Sequence, residues 1–462
     1  MTQKFSQADV SIIGLGKLGA SMVAGMASKG LKVIGVDVSA QAVMAVNNGL
    51  APVEETDLAA TIRSNSQLIR ATPDYSDAVM NSSISFVIVP TPSDERGAFS
   101  LEYVAKSFES IGNVLKNKDD YHVIVLTSTV LPGSTRYGLL PILEKTSGKK
   151  CGPDFGLCYN PEFIALGSVI KNFLNPDFYL LGQFDEHSGD KLAAIHQIVS
   201  SNNAPIKRMS LENAEIAKIA VNSYVTLKIS FANMLTDICE RIPNADVDVV
   251  SDAIGTDSRI GRKYLSGGLG FGGPCFPRDN VALAFLGQSL GADTPILEAN
   301  DSYNRSYSLN TLKRLKGRLP ESGRAAVLGL SYKPFSHIVE ESAGIYLCQA
   351  LQNSGYHVSC YDPLALVEAK KTLNKNFTFC PDTESCIKDA DIVFVTTSDP
   401  VFTALTPSVF VNSSARKVYI VDFWRCLSHN FAKTENIVYI PAGRSYVSKK
   451  KESLLSNLWE RR

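Results

Sequence analysis

Residues 10–37 read VSIIGLGKLGASMVAGMASKGLKVIGVD and predict the start of a doubly wound α/β fold. The short apolar run Val10–Ile13 indicates a buried strand, and the glycines after it form the pattern G-x-G-x-x-G. Apolar residues then recur at helical spacing until a second strand, Val33–Val36, which ends on Asp37. The glycines permit a tight turn and bring a pyrophosphate close to backbone N–H groups at the helix N-terminus. The stretch therefore predicts a dinucleotide-binding domain, with a doubly wound fold that binds no phosphate as the alternative.

Asp37 narrows the choice of dinucleotide. An acid at the end of the second strand accepts hydrogen bonds from the adenosine ribose, and its charge would repel a 2′-phosphate. We therefore expect NAD rather than NADP as the cofactor.

The composition limits the classes of partner. The 462 residues are enough for two or three domains, each with a sizeable core. Lys plus Arg equals Asp plus Glu, 46 of each, so no net charge recruits nucleic acid or an anionic membrane. The N-terminus lacks the apolar stretch of a signal peptide, and no run of apolar residues is long enough to span a membrane. Nine cysteines without a CxxC pair argue against disulfides and zinc, which predicts a cytoplasmic chain with reduced thiols and no metal.

Two further apolar runs predict strands that are buried on both faces, SISFVIVPTP at 83–92 and HVIVLTSTVLPGST at 122–135. Each run ends in residues that are typical of turns. Ligands bind at the carboxyl ends of such strands, so Thr91 and Thr129 are candidates for contact with cofactor or substrate. Ordinary turn chemistry is the alternative explanation for both threonines.

The segment GFGGPCFPRD, residues 270–279, places a single cysteine between glycines and a proline-flanked turn. Cys275 is either a buried structural thiol, which is the commoner role of an unpaired cysteine, or a reactive group. A strong helical pattern over residues 211–242 carries Lys218 and Asn222, which are four residues apart and share one face of that helix. From spacing alone, this pair is either a solvated surface pair or part of a site.

These segments occur in an order that resembles the UDP-glucose 6-dehydrogenases, within the UDP-glucose/GDP-mannose dehydrogenase family. The resemblance spans nearly the whole chain and rests on motifs in register, which are GLGKLG, PTP, STVLPGST, NPEF, AEIAKIAVN, RIG and GFGGPCFPRD. The stretch CFPRD is similar to the glucose-type branch, because the N-acetylhexosamine branch usually places a histidine where this chain has Pro274.

The resemblance implies a reaction and a set of catalytic residues. Family members oxidise the primary alcohol at C6 of a nucleotide sugar to a carboxylate and use two NAD. A cysteine holds the intermediate aldehyde as a thiohemiacetal, which is oxidised to a thioester and then hydrolysed. By resemblance the catalytic residues are Cys275 as nucleophile, Lys218 and Asn222 as stabilisers of the oxyanion, Asp279 as acid/base with an ordered water, Glu162 in proton handling and thioester hydrolysis, and Thr129 in holding that water. Lys218 is also expected to lower the pKa of the Cys275 thiol from its usual value of about 8.5.

The resemblance also implies two sets of binding residues. The residues expected at the cofactor are Gly14, Gly16, Lys17, Leu18, Gly19, Asp37, Thr91, Pro92 and Thr129. The residues expected at the substrate are Glu162, Phe163, Ile164, Lys218, Asn222, Arg259, Tyr264, Gly272, Lys333 and Arg425. Arg259 is expected to reach the substrate of a neighbouring subunit. Arg425 lies in DFWR, which loosely resembles the family's D-G-R segment, and is either a phosphate or sugar ligand or a surface residue.

The order of strand, glycine turn, helix and strand returns near residue 320 and ends on Asp362. In this repeat Gly329 is followed by Ser331 without a third glycine, and an insertion precedes the helix, so we expect no dinucleotide there. The predicted fold is α/β in three parts, an N-terminal Rossmann-like NAD-binding domain at 1–208, a central helical dimerisation domain carrying Cys275 at 209–318, and a C-terminal Rossmann-like UDP-sugar-binding domain at 319–462. The resemblance further implies a homodimer or a higher homo-oligomer.

The chain departs from the family pattern at a few positions. Leu166 replaces a glutamate, His337 and Ile338 replace an acid pair, and Glu340 replaces an arginine. We expect the loop 335–341 to be rearranged, with His337 on the ligand side. The identity of the sugar stays open, and UDP-galactose, a UDP-N-acetylhexosamine and GDP-mannose are alternatives to UDP-glucose. Two other classes fit less well, since a β-hydroxyacid dehydrogenase lacks the cysteine and the second αβ domain, and a non-catalytic nucleotide-sugar sensor would not need the catalytic set.

Overall fold

The computed structural model describes residues 5–410, 417–445 and 455–459. The chain forms two compact units. Unit 1 comprises Met1–Val221 and Phe285–Gly291, and unit 2 comprises Asn222–Ala284 and Ala292–Arg462. Throughout the described ranges, every helix is too short or too polar to cross a membrane.

Unit 1 is built on one sheet whose strands alternate with helices. The strands are β1 (Val10–Ile13), β2 (Val33–Val36), β3 (Ile69–Thr72), β4 (Ile84–Val87), β5 (Val123–Leu126), β6 (Gly156–Tyr159), β7 (Tyr179–Gln183) and β8 (Ile206–Ser210). The helices are α1 (Lys17–Ser28), α2 (Ala40–Asn47), α3 (Leu58–Ser64), α4 (Tyr75–Met80), α5 (Glu102–Leu115), α6 (Leu140–Ser147), α7 (Val169–Leu174), α8 (Glu186–Val199) and the start of α9 (Leu211–Cys239). A π-helical turn, Ser134–Leu139, precedes α6.

The order of strands in this sheet is β3-β2-β1-β4-β5-β6-β7-β8. Neighbouring strands run parallel except for the antiparallel pair β6 and β7. The order reverses at β1, which pairs with both β2 and β4. In open α/β sheets ligands bind beyond the carboxyl ends of the strands at such a reversal. The loops that follow β1, β4 and β5 therefore define the candidate ligand edge of unit 1.

Both faces of this sheet are covered, which explains the continuous apolar strands. Val123 and Val125 of β5 belong to one buried hydrophobic cluster, and Ile124 and Leu126 belong to the cluster on the other face. Successive side chains of a strand point to opposite faces, so each face of β5 contributes to a core. The same alternation holds for β1, where Ile12 and Ile13 enter different clusters.

Unit 2 combines a group of helices with a second sheet. The helices are α10 (Val247–Gly255), α11 (Phe276–Ser289), α12 (Pro295–Leu309), α13 (Thr311–Arg314), α14 (Ala343–Asn353), α15 (Leu366–Thr372), α16 (Thr383–Ile387) and α17 (Pro400–Thr403), together with the remainder of α9. The strands are β9 (Arg324–Leu328), β10 (His357–Tyr361), β11 (Thr378–Phe379), β12 (Ile392–Val395), β13 (Val418–Asp422) and β14 (Ile437–Pro441). They form a sheet in the order β11-β10-β9-β12-β13-β14, and its paired strands are parallel.

The two sheets confirm the predicted α/β class with two Rossmann-like parts and a helical region between them. β1 and β2 span the predicted residues. The apolar runs at 83–92 and 122–135 form strands only in their first halves, because the later residues belong to the loops at the ligand edge.

The C-terminal repeat has a third glycine, Gly344, which the spacing of its glycines in the sequence does not reveal. A Cβ on Gly344 would lie 2.3 Å from the carbonyl oxygen of Gly329, just as a Cβ on Gly19 would lie 1.8 Å from that of Gly14. In both repeats the helix therefore packs directly against the glycine turn. The expectation of no third glycine is wrong, because residues 331–342 separate the turn from α14 and hide the spacing.

Candidate active site

The glycine turn after β1 has the geometry of a phosphate-binding turn. Gly14 has a φ of 101° and lies so close to β4 that an added Cβ would be 2.3 Å from the carbonyl oxygen of Ile88. Gly16 precedes α1, is exposed, and has open space where a Cβ would stand. Lys17 and Leu18 form the half-buried first turn of α1. The turn thus leaves the N-terminus of α1 open to an anion, and these residues fit a dinucleotide.

Asp37 fits the same ligand. Its Oδ2 accepts a hydrogen bond from Leu15 N at 2.7 Å and its Oδ1 accepts one from Ser39 N at 2.8 Å. A carboxylate has about four acceptor positions, so capacity remains for ribose hydroxyl groups on this half-buried side chain. The equivalent Asp362 differs, because it is 2% exposed and accepts five hydrogen bonds, from the N–H groups of Leu330, Ser331, Leu364 and Ala365 and the hydroxyl of Ser331. The second repeat therefore uses its acid to hold its own turn.

The loops after β4 and β5 are bonded to each other. Thr91 Oγ1 donates to the carbonyl oxygen of Thr129 at 2.8 Å. Ser128 Oγ accepts from Val89 N at 3.0 Å and donates to Val89 O at 2.7 Å. These bonds bring Thr91 and Thr129 together at the predicted edge, beside the exposed Pro92.

Glu162 is a buried carboxyl group next to a lysine. It is 8% exposed, and its Oε1 is buried without a hydrogen-bond partner. Burial raises the pKa of Glu162 to about 8, and the charge of Lys218 partly opposes that shift. Lys218 Nζ donates to the backbone carbonyl of Glu162 at 2.8 Å and lies 4.5 Å from the centre of the Phe163 ring. Ile164, the next residue, packs against the hydrophobic core of unit 1.

The NPEF segment is supported by residues that were not among the predicted site residues. Asn160 is fully buried and its Nδ2 donates to Leu180 O at 3.0 Å, which turns its Oδ1 towards Nε2 of His196 at 2.8 Å. Burial lowers the pKa of His196 to about 3, so the imidazole is neutral and Nε2 carries the proton that Asn160 accepts. This bond holds the chain two residues before Glu162.

Glu215 is a further supporting residue that was not among the predicted site residues. It is fully buried on α9 and accepts hydrogen bonds from Gly133 N at 2.6 Å, Thr135 N at 2.8 Å and Thr135 Oγ1 at 2.6 Å. It thereby ties the loop after β5, which carries Thr129, to the helix that carries Lys218. The signal was available in the sequence, since Glu215 is three residues before Lys218 and shares its helix face.

Cys275 is set apart from the other cysteines. All nine lie in the described ranges, where none of them forms a disulfide, and Cys275 is the exposed one. It immediately precedes α11, and its carbonyl oxygen accepts a hydrogen bond from Asp279 N at 2.8 Å. The partial positive charge at the start of a helix stabilises a thiolate. Exposure and position both disfavour the buried structural thiol.

Asn222 and Asp279 join Cys275 in unit 2. Asn222 Nδ2 donates to Asp279 Oδ2 at 2.7 Å, and both side chains are buried. Asp279 Oδ1 accepts no hydrogen bond and lies 3.5 Å from Nε of Arg278. Asp279 thus lies one helical turn after the thiol, with one oxygen bonded to Asn222 and the other in an ion pair with Arg278.

The remaining predicted substrate residues are spread over unit 2. Arg259 has a side chain that is 86% exposed and pairs with Asp257. Tyr264 has a φ of 63°, is half exposed, and meets the ring of Phe276 edge-on. Gly272 lies against the chain after residue 340, and Lys333 Nζ is 5.7 Å from the ring centre of Tyr332. Their expected ligand contacts stay predictions.

Arg425 uses all the N–H donors of its guanidinium in hydrogen bonds within the protein, so none remains for a ligand. Its Nε and Nη2 donate to Asp248 at 2.7 and 2.9 Å. Its other N–H groups donate to the carbonyl oxygens of Phe423, Ala442 and Gly267. An arginine has five N–H donors, and all five are used. The geometry therefore does not support the expected phosphate or sugar contact, and Arg425 instead holds segments of unit 2 together.

The loop 335–341, which departs from the family pattern, contacts the glycines that precede Cys275. Phe335 and Glu341 have φ values of 59° and 52°, which are uncommon for residues other than glycine. The carbonyl oxygen of Glu340 accepts from Gly273 N at 2.9 Å, while the residue itself is exposed. His337 is half-buried in this loop. In the ranges that the structure covers, no group of acids, histidines and cysteines is arranged to hold a metal ion.

Comparison with known proteins matches the chain to three consecutive domains of the UDP-glucose/GDP-mannose dehydrogenase family. They are the NAD-binding domain at residues 8–200, the central domain at 212–306 and the UDP-binding domain at 326–429. The UDP-glucose 6-dehydrogenase AglM of Haloferax volcanii is 34% identical over 86% of this chain and 93% of its own length. The GDP-mannose 6-dehydrogenase of Pseudomonas putida is 32% identical over 93% of this chain and its whole length. A UDP-glucose dehydrogenase structure from Pyrobaculum islandicum aligns with a TM-score of 0.83 at 29% identity and covers 96% of this chain and all of its own.

Proposed function

Since the chain belongs to the UDP-glucose/GDP-mannose dehydrogenase family and has its NAD-binding domain, we propose that it oxidises the C6 alcohol of UDP-glucose to the carboxylate of UDP-glucuronate. NAD is the cofactor. The observation that carries the proposal is the exposed Cys275 at the start of α11, one turn before a buried Asp279 that is bonded to Asn222. A dehydrogenase that stopped at the aldehyde would need no such thiol.

The first oxidation removes a hydride and a proton from the alcohol. Bound NAD supplies the hydride acceptor in both oxidations. The glycine turn and Asp37 hold the dinucleotide, and Thr91 and Thr129 line the edge beside it. Oδ1 of Asp279, which accepts no hydrogen bond in the structure, takes the hydroxyl proton through a water. The product of this step is the aldehyde.

Cys275 then retains the aldehyde. Its thiol proton passes to water, its sulfur forms a bond to the aldehyde carbon, and the carbonyl oxygen becomes an oxyanion. Lys218 and Asn222, one turn apart on α9, are the cation and the amide donor that stabilise this oxyanion. The thiohemiacetal keeps the sugar bound to the enzyme while the cofactor is exchanged, and loss of a second hydride then converts it into a thioester.

Hydrolysis completes the reaction. A water attacks the thioester carbon, Glu162 accepts its proton, and the bond to Cys275 breaks to release the carboxylate and the thiol. The raised pKa of Glu162, about 8, suits a group that takes and returns a proton near neutral pH. Thr129 assists by holding the water.

The proposal is tested by NADH stoichiometry with purified protein and UDP-glucose. We expect two NADH per sugar, and we expect Cys275→Ala to abolish UDP-glucuronate formation while NAD still binds. One NADH per sugar, or an active alanine variant, contradicts the thiol mechanism. A panel of UDP-glucose, UDP-galactose, UDP-N-acetylglucosamine and GDP-mannose then decides the substrate.

GDP-mannose is the second candidate substrate. The observation that favours it is the similarity to the GDP-mannose 6-dehydrogenase of Pseudomonas putida, which is nearly as high as that to the UDP-glucose enzyme of Haloferax volcanii. A kcat/KM for GDP-mannose above that for UDP-glucose would replace our assignment of the sugar and leave the thiol chemistry unchanged.

We also propose that the chain forms a homodimer through α9. From Asn222 to Cys239, the exposed positions of this helix are all apolar, namely Tyr224, Phe231, Met234 and Ile238. Three of them recur every seven residues and form a stripe, which requires a partner surface. We expect Phe231→Glu to dissociate the dimer in analytical ultracentrifugation, and Asn213→Glu, an exposed polar site elsewhere on α9, to leave it intact. A monomeric wild-type protein would disprove the dimer.

A further inference from the structure

The segment before Cys275, residues 267–273, has five glycines in seven residues and is named here the glycine loop. Glycine has the largest conformational freedom of any residue, so a free segment of this composition is flexible. A nucleophile that follows a flexible segment would not keep a defined position. The structure shows instead how the glycine loop is held.

Asn233 of α9 holds the start of the glycine loop. Its Oδ1 accepts a hydrogen bond from Gly268 N at 2.8 Å, and its Nδ2 donates to Leu269 O at 3.0 Å. The side chain is 1% exposed, so water does not compete for these groups. Both functions of the amide are used on the backbone of the loop.

Asn304 of α12 holds the middle of the glycine loop in the same way. Its Oδ1 accepts from Phe271 N at 2.8 Å, and its Nδ2 donates to Phe271 O at 2.9 Å. It is 6% exposed. A single amide thus pairs with both backbone groups of one residue, as a neighbouring strand would do.

The glycines are explained by close approach to these supports. A Cβ on Gly267 would lie 1.9 Å from Thr236 Oγ1, and a Cβ on Gly270 would lie 2.1 Å from Ser308 Oγ. On Gly272 it would lie 2.1 Å from Glu341 O. The glycine loop is therefore packed against two helices and the chain after residue 340, and it lacks side chains because no space is left for them.

We propose that Asn233 and Asn304 are positioning residues, which fix the glycine loop and so define the place of the Cys275 thiol. The inference rests on the proposed function, in which Cys275 is the nucleophile. Only Pro274 separates the loop from Cys275, and proline has a restricted φ, so the orientation of Gly273 is carried directly to the thiol and to the start of α11. Neither asparagine contacts the reacting groups.

The first test uses the wild-type protein and does not require activity. In hydrogen exchange resolved to single residues by mass spectrometry, the amides of Gly268 and Phe271 should exchange about 100-fold more slowly than in an unstructured peptide. Exchange of both amides at the rate of a free peptide would overturn the proposal.

The second test separates positioning from general stability. Asn304→Leu has a similar volume but removes both bonds to Phe271. The matched control is Asn300→Leu, one turn earlier on α12, because Asn300 is 4% exposed and bonds to Ser230, Thr226 and Asn280 rather than to the glycine loop. Both variants should lower Tm. Only Asn304→Leu should lower kcat, by roughly 100-fold, the loss expected for a displacement of about 1 Å.

The KM values decide between the interpretations. In Asn304→Leu we expect the KM for NAD to stay within about twofold of the wild type, because the glycine turn after β1 and Asp37 are untouched, and we expect the KM for the nucleotide sugar to change less than kcat, because of its expected contacts only Gly272 lies in the displaced loop. Equal kcat losses in the two variants, or an unchanged kcat in Asn304→Leu, would overturn the proposal. If Asn304→Leu does not fold, the exchange experiment alone decides. An active Cys275→Ala variant would instead disprove the thiol mechanism, whatever the exchange result.

Discussion

Glu162 provides the sharpest prediction of pH dependence. Burial disfavours its charged form and raises its pKa to about 8, so at about pH 7 roughly a tenth of the molecules carry the carboxylate that hydrolysis requires. At about pH 9 roughly nine-tenths carry it. The rate of thioester hydrolysis should therefore rise about tenfold between these pH values. In Glu162→Gln this rise should vanish and the rate should fall by about 10²–10⁴-fold, the contribution typical of a general base.

The assay is rapid quenching followed by mass spectrometry of the intact protein. After mixing with NAD and UDP-glucose, Glu162→Gln should accumulate the thioester on Cys275, while the wild type should not. The control is Glu212→Gln, because Glu212 is a carboxyl on α9 whose pKa is held low by Arg136. It should keep the wild-type dependence on pH. A wild-type hydrolysis rate that is flat between about pH 7 and pH 9, or a rise that persists in Glu162→Gln, would refute the reasoning.

The same pKa predicts a change in stability. The unfolded chain releases the proton of Glu162 near the ordinary value of 4.5, whereas the folded protein keeps it until about pH 8. The folded state therefore binds more protons in this range, and its free energy of unfolding falls as the pH rises. Relative to Glu162→Gln, the wild type should lose stability from about pH 5 to pH 8 in urea unfolding. Parallel curves for the two proteins would contradict the raised pKa.

Three further predictions concern the cofactor, the loop after β5 and the subunits. Asp37→Asn should raise the KM for NAD by about tenfold and narrow the preference for NAD over NADP, because the carboxylate that accepts hydrogen bonds from the ribose loses its charge. A wild type that used NAD and NADP equally well would contradict the assignment. Glu215→Ala should destabilise the protein by roughly 3 kcal/mol or more, since buried N–H groups of Gly133 and Thr135 lose their acceptor, and a loss below about 1 kcal/mol in urea unfolding would argue against that role. Mixed dimers of Arg259→Ala and Cys275→Ala should recover part of the activity if Arg259 serves the neighbouring site, and verified mixed dimers without activity would exclude this sharing.

Local sequence patterns were sufficient to predict the first βαβ unit. Residues 10–37 combine apolar strands, a glycine turn and a terminal acid at short range, and each of these features acts through contacts near in the sequence. The second repeat could be predicted only in part, because residues 331–342 separate Gly344 from the turn by more than the G-x-G-x-x-G spacing allows. Spacing reveals a packing glycine only when no insertion lies between it and the turn.

The environments of individual side chains could not be predicted from local sequence patterns. Arg425 was expected to be either a phosphate or sugar ligand or a surface residue, and its sequence neighbours contain nothing to suggest that Asp248, Gly267 and Ala442 together take its donors. Nothing near His196 in the sequence indicates that it bonds to Asn160. These contacts join residues far apart in the chain, so no local pattern encodes them.

The two Rossmann-like repeats and the long helix between them could be predicted from the sequence, and the family resemblance implied the roles of Cys275, Lys218 and Glu162. Hydrophobic periodicity, glycine turns and residue type are properties of short segments, and they act before the chain is packed. The tertiary structure decided that Cys275 is exposed, that burial raises the pKa of Glu162, and that amides from two helices hold the glycine loop. Burial and hydrogen bonding depend on which distant segments surround a side chain, and that arrangement exists only once the chain has folded.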